Sequence, residues 1–462
     1  MNAIVDRWIS DHRDEIVRSL QESVRIPSVE GPAEAGAPFG ADVKRALEHA
    51  LKLGREFGFE TRDMDGYIGL IDHGEGQETL GVMCHLDVVP EGEGWDHPPY
   101  GAEIVDGNIV GRGTMDDKGP AISAIYALAA VKAAGLKMRR KVRIMLGCDE
   151  ESGWGCMSHY CEHESMPDMA FSPDADYPVV NSEKGIVHAT FVKRFNSKLR
   201  LDAGTRPNVV CGKAVASVML NEARVLPIIN EFKAEGGFEC SCEPCPHGNG
   251  VRIEIIGLNA HASMPESGRN ALQAMLDVLN RLELDGEDGK LIEAIHKLLK
   301  MDMHGESLGL DLTDASGRMT LNPGVIHWDE NGLAEFAIDM RVPTSRKAED
   351  ALNAVVNAFA PMGLELSGSS IQPGHYVSPE SELVSKLLDV YAARSGEYLP
   401  PLAIGGGTYA RAVENAVAFG CERPGVPALV HMPNESISID DMMFNTYMIA
   451  DAIIALACME QL

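Results

Sequence analysis

His85 with Asp87, the triplet Asp149-Glu150-Glu151, Asp174 and His431 each stand just beyond the C-terminal end of a short apolar run. The runs are residues 80–84, 142–146, 169–171 and 428–430, and each reads as a strand. A fifth carboxylate, Asp116, lies in the loop 111–120, which leads into a helix opened by Pro120. Two imidazoles and three carboxylates suit Zn²⁺, Mn²⁺ or Co²⁺, and their number fits two ions that share one carboxylate. The chemistry of such a site is metal-assisted hydrolysis. Taken singly, each residue has a plainer reading: a hydrogen-bonded strand-end histidine, or a solvated acidic turn. Three adjacent acids behind a buried strand repel one another, however, and that placement asks for a cation or other compensation. Joint occurrence at strand ends favours the metal.

Residues so far apart share a site only if the fold gathers them. Loops at the carboxyl ends of an open parallel sheet converge on one crevice. Residues 1–186 alternate apolar strands with helices, as such a sheet requires. Near residue 187 the texture changes to period-two strands, such as 251–255 and 335–341, separated by helices near 210–235, 270–300 and 346–360. The first texture returns from 376, with a helix over 380–393. The expected fold is α/β: a discontinuous catalytic domain, 1–186 plus 376–462, with helices around a mainly parallel sheet. Into it is inserted an α+β lid, 187–375, with antiparallel sheets.

The 462 residues carry 69 acidic and 40 basic side chains, a formal charge of −29. A single core rarely grows past about 250–300 residues, which agrees with two domains. The negative charge repels phosphate backbones and anionic lipid, so nucleic acid and membrane are not expected partners. No stretch approaches about 18 uncharged apolar residues, and the first twenty residues mix charge with apolar positions unlike a secretory signal. Ten scattered cysteines, with Cys84, Cys148, Cys211 and Cys458 inside apolar runs, suit a reduced cytoplasm. Cys240, Cys242, Cys245 and His247 have the atoms for a small zinc site but not a common spacing, and a cysteine-rich hairpin tip is favoured there. Trp95 and Trp154, beside the acidic motifs, could wall a pocket or pack the core.

The motifs resemble a known family. The stretches 85–90 (HLDVVP), 111–119 (GRGTMDDKG), 149–153 (DEESG) and 173–176 (PDAD) are similar to those of the co-catalytic zinc peptidases and deacylases, which include aminoacylase, acetylornithine deacetylase and carnosinase. The stretches 405–411 (GGGTYAR) and 431–435 (HMPNE) fit the PepV-like dipeptidase branch, and the resemblance spans essentially the whole chain. It implies that His85 and Asp174 hold one metal, Glu151 and His431 the other, with Asp116 bridging them and a cis peptide between Asp116 and Asp117. It makes Glu150 the general base that activates a metal-bridging water, and Asp87 the residue that fixes the His85 imidazole. His261 is implied as the donor to the oxyanion, and Asn208 and Arg341 as contacts of the substrate carboxylate, joined by backbone groups of Gly406, Gly407 and Thr408.

The expected activity is hydrolysis of unblocked dipeptides by a cytoplasmic enzyme with two divalent ions, zinc first and manganese or cobalt next. An insertion of about 190 residues matches the doubled lid of the PepV-like branch, which implies a monomer that supplies its own oxyanion histidine. An N-acyl amino acid amidohydrolase with the same metals is the nearest rival. A non-catalytic binding protein on the same fold is a rival of another class; it would be favoured by loss of a ligand or of Glu150, and none is lost.

Overall fold

The strand Thr79–His85 is buried from Leu80 through His85, and Met169–Ser172 is buried throughout. Strands without polar alternation belong at the centre of a sheet covered on both faces. In the computed structural model, which describes residues 1–245, 250–426 and 429–459, both are central. The chain divides into two bodies: Met1–Asn181 with Val377–Leu402 and Gly407–Leu462, and Ser182–Tyr376 with Ala403–Gly406.

In the first body the strands lie in the order Glu60–Met64, Ile68–His73, Lys141–Gly147, Thr79–His85, Met169–Ser172 and Ala416–Ala418. The last four run parallel, and the first two are added antiparallel at one edge. Helix Lys118–Ala133 is buried from Lys118 through Val131, so it has no solvent face and must be enclosed. It packs on the sheet and against Ile439–Ala457, Ala3–Asp11 and Arg13–Val24. The helix starts at Lys118, two residues before Pro120. Buried Lys118 donates from Nζ to the carbonyls of Ser23 (3.1 Å) and Ile26 (2.6 Å), serving carbonyls left open at the end of helix Arg13–Val24. Gly119 is needed there, because a Cβ would lie 2.1 Å from the carbonyl oxygen of Thr114. The loop carrying Asp116 is thereby pressed against the helix start.

The second body is an eight-stranded antiparallel sheet in the order Glu239–Pro244, Val251–Ile256, Lys213–Val218, Arg200–Ala203, Thr320–Asp329, Gly332–Val342, Gly185–Arg194 and Glu365–Gln372. Val251–Ile256 and most of Gly185–Arg194 alternate buried and half-buried residues, the period-two pattern of a sheet covered on one face. Helices Glu222–Glu235, Ala271–Arg281, Gly286–Leu299 and Ala348–Phe359 contribute to the same core.

Two expectations change. The helix placed over 210–235 begins only at Glu222, because Ala214, Ala216 and Val218 alternate as a strand against Val251–Ile256. The strand placed at 428–430 is absent: Leu429 and Val430 lie outside any strand, and Ala428 lies outside the described residues. Ala416–Ala418, with three buried apolar residues, instead extends the parallel sheet beside Met169–Ser172.

The returning helix Glu382–Ser395 is clamped to the sheet by charge. Arg140 donates to both Glu382 oxygens, from Nη1 at 3.2 Å and Nη2 at 3.1 Å, and Arg139 also bonds Glu382. Hydrogen bonds first from Arg140 and then from Arg139 take the Glu382 carboxyl from 4.5 down to about 2. A carboxyl depressed on folding stabilises above its unfolded pKa and loses that contribution as pH falls through its folded one. Glu382→Gln should therefore lower stability near neutral pH, by less than about 1 kcal/mol because the group is partly solvated. Denaturant titrations should show the deficit shrinking between about pH 4.5 and pH 2, where the two proteins converge; a deficit independent of pH would contradict the charge clamp.

Candidate functional site

Three parallel strands deliver acidic and imidazole groups at one edge of the sheet. Thr79–His85 ends in His85, Lys141–Gly147 runs into Asp149-Glu150-Glu151, and Met169–Ser172 runs into Asp174. His85 is in register with Gly147, so the first two exits are level. Gly147 lets Tyr409 close over the strand end, because a Cβ there would lie 2.2 Å from the Tyr409 hydroxyl. Asp116 arrives on the loop before helix Lys118–Ala133, and its peptide bond to Asp117 is cis.

Asp116 faces both imidazoles. Its Oδ1 is 2.8 Å from His85 Nε2, and its Oδ2 is 2.8 Å from His431 Nε2. Asp174 Oδ2 lies 3.6 Å from His85 Nε2, and Glu151 Oε1 lies 3.1 Å from His431 Nε2. The result is two donor groups, His85–Asp116–Asp174 and Asp116–Glu151–His431, each with ligand atoms within 4.8 Å of one another. They have Asp116 in common.

The electrostatics explain what such a centre needs. Burial, then the charges of Asp174, Glu151 and Asp116, push Glu150 well above the usual carboxylate range, against the pull of His85. Burial raises Asp174 and Glu151, and the charge of Asp116 adds to both. Burial acts upward on Asp116 too, but hydrogen bonds from His431 and His85 outweigh it and hold that carboxyl well below its ordinary value. Burial lowers His431, and its bonds to Asp116 and Glu151 reverse this and take it up to about 11. A carboxylate excess of this kind is relieved by cations. The mixed imidazole and carboxylate donors, with one carboxylate common to two groups, fit a pair of borderline divalent ions.

Neighbouring residues hold these donors in place. His85 Nδ1 meets the backbone carbonyl of Asp87 at 2.9 Å, while the Asp87 carboxylate lies 3.6 Å away. That carboxylate instead accepts the backbone N–H of Glu150 (3.1 Å) and of Glu151 (3.0 Å). Asp87 therefore orients the imidazole through its carbonyl and the acidic pair through its side chain. Asp149 accepts the N–H groups of Gly153 (2.9 Å) and Gly155 (2.7 Å) and closes the turn beneath that pair. Asp117, which sequence reasoning passed over, is fully buried and accepts the His85 N–H at 2.9 Å. His431 is half exposed with φ 62° and comes from a turn rather than a strand end. Trp95 packs under the Arg112 guanidinium at 5.4 Å, and Trp154 packs edge-on to Tyr409.

In the second body Asn208, His261 and Arg341 are drawn together. Val209 bridges to His261, and Ala262 N–H donates to the Asn208 carbonyl at 3.0 Å. His261 Nδ1 is 2.6 Å from Ser263 Oγ. Gly405, before Gly406, packs so tightly on Ser263 that a Cβ would come within 2.5 Å of the Ser263 Cβ, and its carbonyl accepts from Arg341 Nη1 at 2.8 Å. Asp339 grips Arg341 by two parallel bonds, at 2.9 Å to Nε and 2.8 Å to Nη2, and also bonds His188 Nε2 at 2.8 Å. Asp339 is wholly buried, and burial pushes its carboxyl up, but His188 and Arg341 prevail and depress it. Asp339 was also missed; its signal is a charge two residues before Arg341, on the same face of an apolar strand. Gly407 and Thr408 belong to the first body, where Thr408 Oγ1 accepts the Ala410 N–H at 3.1 Å. Cys240 and Cys242 alternate on the edge strand Glu239–Pro244, and His247 lies outside the described residues.

The chain is similar to known proteins in sequence and in fold. The sequence profile of the group described as Peptidase family M20/M25/M40 matches residues 81–455. The chain is 36% identical to a Bacillus subtilis protein named "Putative dipeptidase YtjP", over 96% of this chain and 98% of that one. It is 32% identical to a Staphylococcus epidermidis protein named "Putative dipeptidase", over 98% of this chain and 99% of that one. Its fold is similar to that of human carnosine dipeptidase 1, with a TM-score of 0.60 at 16% identity over 98% of both chains. It is also similar to Dug1p, a di-peptidase of Saccharomyces cerevisiae, with a TM-score of 0.58 at 14% identity over 98% of this chain and 97% of that one.

One carboxylate common to two donor groups can be tested by metal content. Asp116→Ala removes a donor from both groups and should abolish tight binding of both ions, whereas His431→Ala removes a donor from one and should leave a single tight ion. Elemental analysis after dialysis distinguishes these results; equal losses in the two variants would contradict a shared Asp116.

Proposed function

The chain belongs to peptidase family M20/M25/M40, and from that premise we propose that it is a metal-dependent dipeptidase acting on small, unblocked dipeptides. The observation that carries the reading is the single carboxylate common to two donor groups, with the unligated acid Glu150 beside them. His85 and Asp174 would hold one divalent ion and Glu151 and His431 the other, with Asp116 common to both groups. Zinc would suit these donors first, with manganese or cobalt as alternatives that the same donors accept. When bound, such a pair acidifies a shared water and polarises the scissile carbonyl.

The remaining work falls to side chains. Glu150 takes a proton from the attacking water and returns it to the leaving amine. Burial raises its proton affinity, which suits a group that must accept a proton. Asp87 keeps Glu150 and Glu151 in adjacent and opposite duties by holding both of their N–H groups. His261 donates a hydrogen bond to the oxygen that gains charge during attack. Arg341 receives the substrate carboxylate, since Asp339 and the Gly405 carbonyl fix its plane through three of its five N–H groups. Asn208 and the backbone at Gly406, Gly407 and Thr408 complete that recognition.

Dipeptides are favoured over acylated amino acids by the full-length likeness to relatives named as dipeptidases. We place the enzyme in the cytoplasm as a monomer, in keeping with the large second body and the wholly reduced cysteines among the described residues. No helix among the described residues is long and apolar enough to cross a membrane.

The test is hydrolysis of one dipeptide and of its N-acetylated amino acid counterpart by metal-stripped protein reloaded with Zn²⁺, Mn²⁺ or Co²⁺. The free dipeptide should be the better substrate; preference for the acetylated compound would make the protein a deacylase, and activity on neither with metal bound would make it a binding protein. Glu150→Gln should keep its metal and lose about 10²–10⁴-fold in kcat. Normal turnover in that variant would remove Glu150 as the base.

A further inference from the structure

Two residues outside the donor groups hold together the loops that carry three of the donors. Glu435 is fully buried, and Arg112 is 1% exposed. Arg112 Nη1 donates to Glu435 Oε2 at 2.6 Å. The other Glu435 oxygen, Oε1, accepts three backbone N–H groups: Gly113 (3.0 Å), Met115 (3.0 Å) and Asp116 itself (3.3 Å). The Glu435 carbonyl accepts a fourth, from Gly111 at 2.8 Å. Arg112 reaches further, from Nη1 to the Met432 carbonyl (3.4 Å) and from Nη2 to those of Pro90 (3.5 Å) and Glu91 (3.3 Å). Trp95 completes the arrangement: it lies against the guanidinium and donates its own Nε1–H to the Glu91 carbonyl at 2.8 Å.

Three loops meet at this pair. Pro90 and Glu91 follow His85, Gly111 through Asp116 carry the shared carboxylate, and Met432 with Glu435 follow His431. We propose that the Arg112–Glu435 ion pair is the positioning element that sets the spacing of the two donor groups. Glu435 fixes the backbone from which Asp116 projects, and Arg112 ties that loop to the loops of His85 and His431. Neither side chain ligates an ion. The need for it is physical: His431 is half exposed and comes from a turn, so its place relative to Asp116 must be set by contacts within the loops. A buried carboxylate with an arginine and three N–H donors is a stiff joint, because breaking any one bond leaves a buried charge under-solvated.

The inference rests on the two-ion reading of the site and not on the choice of substrate. Its experiment is calorimetric titration of the metal-stripped protein with Zn²⁺, alongside the visible spectrum of the Co²⁺-loaded form. Two tight sites in the unaltered protein establish the premise; fewer would overturn the two-ion reading and this inference with it. With the premise met, Glu435→Gln should weaken Zn²⁺ binding about 10–100-fold and shift the Co²⁺ bands, since partners that orient ligands typically carry that much affinity. Unchanged affinity and spectrum in the folded variant would overturn the proposal. Should Glu435→Gln fail to fold, Arg112→Lys takes its place: it keeps the charge facing Glu435 but lacks the fork that spans three carbonyls. It should lose affinity in the same range, and wild-type affinity would overturn the proposal. Loss of the fold in both variants would make the pair a core brace and overturn it equally.

Discussion

Asp116 has one carboxylate and two imidazoles to face, and the first body is organised around keeping both of its oxygens engaged. Its two oxygens lie at equal distances from His85 and His431, residues separated by most of the chain. Five carboxyl groups, those of Asp116, Asp117, Glu150, Glu151 and Asp174, crowd the same strand ends, with two imidazoles to offset them. Burial makes each charge expensive, so the arrangement persists only if cations complete it or protons neutralise it. This conflict is the physical source of the proposed chemistry, because ions drawn in by the carboxylates also acidify water and polarise a carbonyl.

Crowded charge needs rigid support, and here the support is mainly backbone hydrogen bonding. Asp87 takes the N–H groups of the acidic pair, Asp117 that of His85, and Glu435 that of Asp116. Each carboxylate that approaches the centre has a second buried carboxylate, or a strand end, fixing its main chain. The second body repeats the device in smaller form, where Asp339 aligns Arg341 and the Gly405 carbonyl holds its other side.

Much of this was legible in the sequence, for definite reasons. All-apolar runs before His85 and Asp174 suit strands covered on both faces, and the alternation in Val251–Ile256 suits a sheet with one covered face. Parallel strands then bring the residues at their exits together, which gathers His85, Glu151 and Asp174 without any contact being known. The loop of His431 was misread because a short apolar run beside a histidine mimics a strand, while the true strand, Ala416–Ala418, leads into Phe419 and Gly420, which do not advertise a site. The duties of Asp87, Asp117, Asp339 and Glu435 lay beyond sequence reasoning for another reason. Each acts by accepting N–H groups or an arginine, and the partner that gives an acid its role is set by packing rather than by spacing.

The claim on which the account depends is that Asp116 lies between two ions. Diffraction from crystals soaked in Zn²⁺, measured on both sides of the zinc absorption edge, tests it most directly. The account predicts two anomalous peaks roughly 3.5–4 Å apart, one flanked by His85 and Asp174 and the other by Glu151 and His431, with the Asp116 carboxylate spanning them. A single peak, or two with Asp116 turned away from either, would contradict it.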